Sequence, residues 1–123
     1  MSKHSRLRRS SEIEEVLKKG VRKKCGVLMC HAAILRRAGG EGSMYPRAAF
    51  VVSRRHWPRA VDRNRIKRLM REGFRLHRQR LLRQDLALVL RFTGHTKPGF
   101  RDLCEHLCCI FDWINQTELP ALD

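Results

Sequence analysis

Acidic residues are scarce in this sequence. Its 123 residues include 12 Asp and Glu against 27 Lys and Arg, which gives a formal net charge of +15 at pH 7. A small domain with so large an excess of positive charge repels itself unless it meets a polyanion. Nucleic-acid phosphates supply such a partner, and their binding releases condensed counterions. A membrane surface is the other common polyanion.

A long apolar segment is also missing. No run of about 18 apolar residues is available for a transmembrane helix, and the first residues, MSKHSR, are not followed by the apolar stretch of a secretory signal. We therefore expect a cytoplasmic protein without a membrane partner. With 42% hydrophobic and 32% charged residues the composition is that of a globular chain. Its length predicts one domain over residues 1–123.

The cysteines do not have the spacing of a metal site. Cys25 and Cys30 are separated by four residues, and Cys104 is followed after three residues by Cys108 and Cys109. These intervals match the usual zinc knuckles poorly, and an odd number of cysteines does not favour a disulfide framework. We expect reduced, mostly buried thiols and no bound metal.

The residue sets that carry protein catalysis are absent from the sequence. We find neither paired carboxylates, nor a Ser/His/Asp set, nor a glycine-rich nucleotide loop. His56, His77 and His95 are isolated in the sequence, and His77 falls on the apolar side of a predicted helix. The sequence therefore predicts no catalytic site built from protein side chains.

The remaining pattern predicts helix, strand, strand, long basic helix, strand and helix. The helices cover residues 12–19, 59–83 and a final segment that starts at residue 100, and the strands cover residues 27–34, 47–53 and 85–92. The glycine-rich segment 36–46 is predicted to be a flexible loop, residues 1–9 a mobile start and residues 116–123 a frayed tail. A sheet covered by helices is the economical packing for this order.

The long helix has two chemically different sides. At 100° per residue, Ile66, Met70 and Phe74 share one arc, while a row of cations lies on the opposite arc. Most charge runs are simply solvated helix faces. Here, however, only Glu72 offsets the cations between residues 63 and 78, so the row lacks the acidic partners at i,i+4 that a merely soluble helix carries. Arginine forks match phosphate oxygens bidentately, so the row favours a phosphate-binding face.

Residues 63–71, RNRIKRLMR, resemble the RNR motif of bacterial ribonuclease P proteins. The flanking residues 51–55, VVSRR, and 71–75, REGFR, are similar to the family pattern as well, and so are 7–10, LRRS, before the first helix and the strand at 85–90. The similarity extends over most of the chain. Its most specific part is the stretch 53–75.

The resemblance implies a fold and a function. The fold is an α/β two-layer sandwich with a sheet of about four strands and a left-handed strand–RNR helix–strand crossover, which is rare on general grounds. The chain is then the protein subunit of an endoribonuclease whose catalytic RNA removes the 5′ leader of precursor tRNA. The RNA performs the cleavage with Mg²⁺, which is bound mainly by the RNA, and the resemblance implies no requirement for a further protein partner.

The resemblance also assigns residues to two RNA contacts. By this resemblance, the catalytic RNA lies against the RNR helix and the residues just before it. The leader lies in a cleft between the first helix and the sheet. The RNA-binding candidates are Arg54, Arg55, Arg63, Asn64, Arg65, Lys67, Arg68, Arg71 and Arg75, and the leader-cleft candidates are Ile13, Leu17 and Phe50. For Arg54 and Arg55, leader phosphates and catalytic RNA remain two open alternatives.

The cleft candidates depart from the family pattern, in which the first helix offers aromatic rings to the leader. Ile13 and Leu17 pack against bases but lack a π face for stacking. Ile13, Val16 and Leu17 form an apolar stripe, part of which has to pack on the sheet. For Ile13, we expect this packing at least as much as contact with the leader. Phe50 is either a compensating ring or a core residue. Trp57 is expected to pack under the start of the long helix, with stacking on RNA as its alternative.

Two other functions fit part of the pattern. A structural RNA-binding protein of the ribosomal type fits the size and the charge equally well, but it does not account for an RNR motif followed by a buried strand. A DNA reader places its recognition helix after another helix and a short turn, whereas a strand-like segment precedes the basic helix here.

Overall fold

A computed structural model describes residues 10–35 and 46–122. The helices are α1 (Ser10–Lys19), α2 (Ala60–His77) and α3 (Phe100–Gln116), and a 3-10 turn, Arg78–Arg80, follows α2. The strands are β1 (Val21–Cys25), β2 (Leu28–Leu35), β3 (Arg47–Val52), β4 (Leu86–Phe92) and β5 (Ala121–Leu122). The predicted flexible loop, apart from Pro46, and the predicted mobile start lie outside the described residues.

The strands form one mixed sheet in the order β1-β2-β4-β3. β2 is antiparallel to both β1 and β4, whereas β3 and β4 are parallel neighbours joined through α2. β5 adds two parallel residue pairs to the end of β2. The prediction of an α/β sandwich with a strand–basic helix–strand crossover is confirmed, and the sheet has five strands where about four were expected.

The sheet separates two apolar clusters. α2 and α3 cover one face, where Phe74 and Phe111 pack edge to face with their ring centroids 5.7 Å apart. α1 covers part of the other face, where Val16 is fully buried against Ala33 and Val89. β4 lies between the two clusters, and six of its seven residues are buried.

Local chemistry sets two of the turns that give this arrangement. α1 ends at Lys19, and the backbone N–H of the next residue, Gly20, donates to the Val16 carbonyl at 2.8 Å. A Cβ on Gly20 would have no room beside that same oxygen. The β1–β2 hairpin turns at Gly26, which has a φ of 57°. That angle lies in the left-handed region, where glycine has no steric penalty.

The long helix is shorter than the predicted 59–83. α2 stops at His77, and the chain then tightens into the 3-10 turn before Leu81 enters the core. The Asn115 side chain accepts a hydrogen bond from the Leu82 N–H and donates one to the Arg80 carbonyl. Tertiary contacts with α3 therefore satisfy the backbone here, and the apolar period alone did not reveal them.

Two strands were not predicted. β1, VRKKC, has three consecutive cations and no alternation, yet it pairs with β2 along five residues. Charged residues are a common feature of edge strands, where they discourage pairing with another chain. β5 is only two residues long, so it gives no periodic signal.

The prediction of a frayed tail over residues 116–123 is wrong for residues 117–122. Leu119 and Leu122 are 8% and 3% exposed, and Leu122 pairs with Leu35 of β2. The Ile34 N–H also donates to the Pro120 carbonyl at 2.8 Å. The segment after α3 is thus held by the sheet edge and by apolar burial.

Leu122→Ala should lower the free energy of unfolding by about 2–3 kcal/mol, because it removes a buried side chain from the cluster under α1. Urea denaturation followed by circular dichroism measures the change. Val61→Ala is the matched control, since Val61 is 63% exposed, and it should change stability by no more than about 0.5 kcal/mol. Equal stability of the Leu122 variant and the wild-type protein would show that the tail is frayed after all.

Candidate nucleic-acid interface

The outer side of α2 carries the largest group of predicted RNA-binding residues. Asn64, Arg65, Arg68 and Arg75 are exposed, and Lys67 and Arg71 are partly exposed. Ile66, Met70, Gly73 and Phe74 of the same helix are buried against the sheet and α3. We call the outer side the cationic helix face; it consists of Asn64, Arg65, Lys67, Arg68, Arg71 and Arg75.

Most positive charge on the cationic helix face is not neutralised locally. Within the described part of the chain, neither Arg65, Lys67 nor Arg68 forms an ion pair with a carboxylate. Arg75, by contrast, pairs with Glu72 at 2.5 Å. The hydrogen bond between them lowers the pKa of Glu72 and raises the pKa of Arg75. Exposed charges without partners remain available to phosphate groups.

Arg63 has a different position from the other motif residues. Its guanidinium donates hydrogen bonds to the backbone carbonyls of Trp57 at 2.9 Å and Pro58 at 2.8 Å. The side chain therefore fastens the segment before α2 to its first turn. The 100° period carried this signal, because it places Arg63 roughly 60° from Ile66, on the inner side of the helix.

Trp57 packs at the same place, where the segment before α2 meets the first turn of the helix. The side chain is buried, its ring lies 6.1 Å from that of Phe92, and the indole N–H donates to the Gly94 carbonyl at 3.1 Å. The prediction that Trp57 packs under the helix start is confirmed. Arg54 and Arg55 are exposed in the turn between β3 and α2, where both are accessible to phosphate groups.

Phe50 is separated from the other two cleft candidates by the sheet. Its ring packs edge to face on Phe74 at 5.8 Å, and the Arg71 guanidinium lies 6.0 Å from its centroid. Ile13 and Leu17 of α1 pack on the opposite face, next to the cluster that contains Val16. The prediction that Phe50 shares one cleft with Ile13 and Leu17 is therefore wrong, because alternate residues of β3 point to opposite faces.

The α1 side of the sheet continues beyond the part that α1 covers. Strand pairing aligns four residues in one row across four strands: Lys24, Met29, Arg91 and Val51. Two residues further along β1 and β2, Arg22 pairs with His31 on the same face. Arg22, Lys24 and Arg91 are exposed, and the others are partly exposed. We call this surface the open sheet face; it consists of Arg22, Lys24, Met29, His31, Val51 and Arg91.

The open sheet face leads into a cavity of about 350 Å³ at the ends of β3 and β4. Val51 and Arg91 form part of its wall, together with the rings of His56 and His95, which pack edge to face at 4.8 Å. Cations, imidazoles and short apolar groups thus share one concave strip. Such a strip can hold the phosphates of a single strand and pack against its bases.

The sequence reasoning missed all six residues of the open sheet face, and His31 is the one among them with a buried, unpartnered polar atom. Its Nδ1 is buried and has no hydrogen-bond partner among the described residues. Burial lowers the pKa of the imidazole, and the neighbouring Arg91 and Arg22 lower it further. A neutral imidazole offers one donor and one acceptor. Only the register of β1, β2 and β4 brings these three residues together, and no local motif encodes that register.

The described residues do not form a metal site or a membrane span. Across residues 10–35 and 46–122, no three His, Cys, Asp or Glu side chains come together as metal ligands would. Among the described helices, none is long and apolar enough to cross a bilayer. All five cysteines are free thiols.

The comparisons with known proteins agree with this geometry. A family model described as Ribonuclease P matches residues 1–114. The chain belongs to the ribonuclease P family. Among curated relatives, the Ribonuclease P protein component of Sodalis glossinidius is 41% identical over 76 residues, and that of Nitrosococcus oceani is 49% identical over 55 residues.

These alignments are partial. They cover 62% and 45% of this chain, and 57% and 41% of the Sodalis and Nitrosococcus proteins. The chain thus spans about half the length of the curated relatives it matches. Membership of the ribonuclease P family rests on the family model, which covers most of the chain.

Solved structures of ribonuclease P proteins share the fold. The protein from Thermotoga maritima superposes with a TM-score of 0.73 at 21% identity, covering 92% of this chain and 97% of that one. The Staphylococcus aureus protein gives a TM-score of 0.71 at 17% identity, with 89% and 94% coverage. At these identities the likeness concerns the fold.

The pKa shift of His31 makes a prediction about stability and pH. Because the folded-state pKa lies below the ordinary 6.5, the unfolded chain takes up a proton first as the pH falls. The stability that neutral His31 contributes is therefore present above about pH 6.5 and is lost as the pH falls through that value toward the folded-state pKa. His31→Gln should lose less stability than the wild-type protein between pH 7.5 and 5.5, measured by urea denaturation at each pH.

Arg91→Gln provides the second arm of this experiment. It removes the arginine that lowers the pKa of His31 more than Arg22 does. The stability of this variant should therefore depend on pH less than that of the wild-type protein and more than that of His31→Gln. Identical pH dependence in all three proteins would contradict the assignment.

Proposed function

We propose that this chain is the protein subunit of a ribonuclease P, the endoribonuclease that matures the 5′ ends of tRNAs, and that it binds the catalytic RNA through the cationic helix face. The observation that carries the proposal is the row of exposed cations on α2, of which Arg65, Lys67 and Arg68 have no carboxylate partner within the described residues. Membership of the ribonuclease P family supports the identity of the partner.

The second part of the proposal concerns the substrate. The 5′ leader of precursor tRNA lies on the open sheet face beside α1, with Arg22, Lys24 and Arg91 near its phosphates. His31 offers its unpartnered Nδ1 to a base or ribose, and Leu17 supplies apolar contact from α1. Support comes from the concave shape of the strip and from the register that aligns its cations across four strands.

The proposal gives the protein and the RNA different roles in the reaction. Since the sequence predicts no catalytic site built from protein side chains, we propose that the catalytic RNA carries out the cleavage with Mg²⁺. The protein's cations lower the repulsion between the phosphates of catalytic RNA and substrate, which reduces the Mg²⁺ needed for assembly. The alternative of a ribosomal-type RNA-binding protein is not favoured, because the family model matches most of the chain.

The double variant Arg65→Ala/Arg68→Ala should bind the catalytic RNA more weakly, and its log-affinity should depend less on log-salt. Each phosphate contact removed should reduce the slope by about 0.7–1. Filter binding across a series of salt concentrations measures this slope. Arg101→Ala, which removes an exposed cation of α3 outside the cationic helix face, is the control and should leave the slope nearly unchanged.

The melting temperature of each variant completes the salt experiment. Because Arg65 and Arg68 make no ion pair within the described chain, their removal should leave stability nearly unchanged. An unchanged salt slope together with a large loss of melting temperature would show that these arginines stabilise the fold and do not contact RNA.

Arg91→Ala tests the substrate half separately. In the reconstituted complex of protein and catalytic RNA, it should weaken binding of precursor tRNA by roughly tenfold, since a charge-assisted contact is worth about 1.5 kcal/mol. Mature tRNA, which has no leader, should bind as before. Equal weakening for both RNAs would place Arg91 on the tRNA body or the catalytic RNA, and no weakening for either would place the leader elsewhere.

A further inference from the structure

A pair of cysteines joins β1 to α3 on the face of the sheet away from α1. The Sγ atoms of Cys25 and Cys109 are 2.7 Å apart, although the two residues are 84 positions apart in the sequence. A disulfide bond is about 2.05 Å long, so the two sulfurs lie within about 0.7 Å of bonding distance. Neither residue belongs to the cationic helix face or to the open sheet face.

The surroundings hold the two sulfurs together. The hairpin turn at Gly26 lies directly against α3, where the His106 ring occupies the space that a Cβ would need. The Val27 N–H donates to His106 Nδ1 at 3.4 Å. The end of β1 and the middle of α3 are therefore fixed relative to each other by contacts other than the cysteines.

The two thiols differ in their access to solvent. Cys109 is exposed, whereas Cys25 is 5% exposed. Burial, and next the Cys109 side chain, raise the pKa of Cys25 to about 11. Cys25 is thus a poor first nucleophile toward an oxidant in solution, while Cys109 can be reached from outside.

We propose that Cys25 and Cys109 form a redox couple, in which a hydroperoxide oxidises the Cys109 thiol and Cys25 then closes a reversible disulfide between β1 and α3. The proposal goes beyond RNA binding and does not depend on it. It also refines the expectation of reduced cysteines, which then holds under reducing conditions.

The chemistry balances in two steps. The Cys109 sulfur attacks one peroxide oxygen and the O–O bond breaks; the thiol proton leaves with the other oxygen as water, or as an alcohol for an organic peroxide, and Cys109 becomes a sulfenic acid. The Cys25 sulfur then attacks the Cys109 sulfur, the S–O bond breaks, and the hydroxide takes up the Cys25 proton as water. Two thiols lose two electrons to one peroxide, and a dithiol reductant reverses the disulfide.

The other cysteines are poorly placed to compete. Cys108 and Cys109 are adjacent in one helix, and Cys104 and Cys108 are one helical turn apart, so a bond within either pair distorts α3. Cys30 is fully buried, and burial raises the pKa of its thiol. The Cys25–Cys109 pair is therefore the expected product of mild oxidation.

The full-length protein treated with a small excess of hydrogen peroxide provides the test. Intact mass should fall by two hydrogen atoms, free thiols should fall from five to three, and a non-reducing digest should contain a peptide that links Cys25 to Cys109. The melting temperature should rise by roughly 5–15 °C, because the bond closes a long loop in the unfolded chain. Dithiothreitol should reverse all four changes.

Three variants make the result specific. Cys109→Ser should abolish the linked peptide and the stabilisation, and Cys108→Ser, one position away on the same helix, should keep both. In Cys25→Ser the reaction should stop at the Cys109 sulfenic acid, which dimedone labels. A disulfide that involves Cys104 or Cys108, a link between two chains, or sulfinic acid on wild-type Cys109 without a link would overturn the proposal.

Discussion

Strand β4 requires shielding from water on both faces, because every one of its residues except Arg91 is buried. A strand of this kind needs an apolar layer above and below it. α2 and α3 supply one layer, and α1 supplies part of the other. The position of β4 between β2 and β3 then determines where the other elements can lie, including the two surfaces on which we propose that RNA binds.

The shielding of β4 also decides how α2 distributes its charge. Ile66, Met70 and Phe74 are needed against the sheet, so the helix can carry cations only on the side that faces outward. The sequence places very few acidic residues among them, and the net charge of +15 is left without internal compensation. Such a surface is costly for an isolated domain and favourable beside a polyanion. The same packing that stabilises the core thus presents the cationic helix face.

The elements that could be predicted are those in which a regular apolar pattern continues over many residues. The apolar arc of α2, the buried run of β4 and the repeat of α3 are each strong over many residues, and the first residue of each element was predicted to within one position. β1 and β5 were missed because neither has a period: one is a charged edge strand and the other is two residues long. The helix end at His77 was missed because side-chain contacts with Asn115 determine it.

The same distinction separates the predictable from the unpredictable residues of the candidate site. The cations of α2 are adjacent in the sequence, so the helical period was enough to place them on one face, and it also carried the signal that sets Arg63 apart. The open sheet face instead depends on strand register. Arg22, His31 and Arg91 lie far apart in the sequence and become neighbours only through the pairing of β1, β2 and β4. Phe50 was misplaced for the same reason, since one position along β3 exchanges the two faces of the sheet.

The chemistry of the open sheet face has a consequence for how a leader would be held there. The α1 positions that resemble the family's aromatic ones carry Ile13 and Leu17, and the exposed residues of the strip are mostly cations. Stacking on an aromatic ring contributes roughly 1–3 kcal/mol per base, whereas contacts between cations and phosphates weaken as counterions accumulate. On the proposed placement of the leader, a strip that offers cations and aliphatic side chains recognises the presence of a single strand more than the identity of its bases. His31 is the exception, because its neutral imidazole can form a directional hydrogen bond that salt screens little, and any preference for particular leader bases has to come through contacts of that kind.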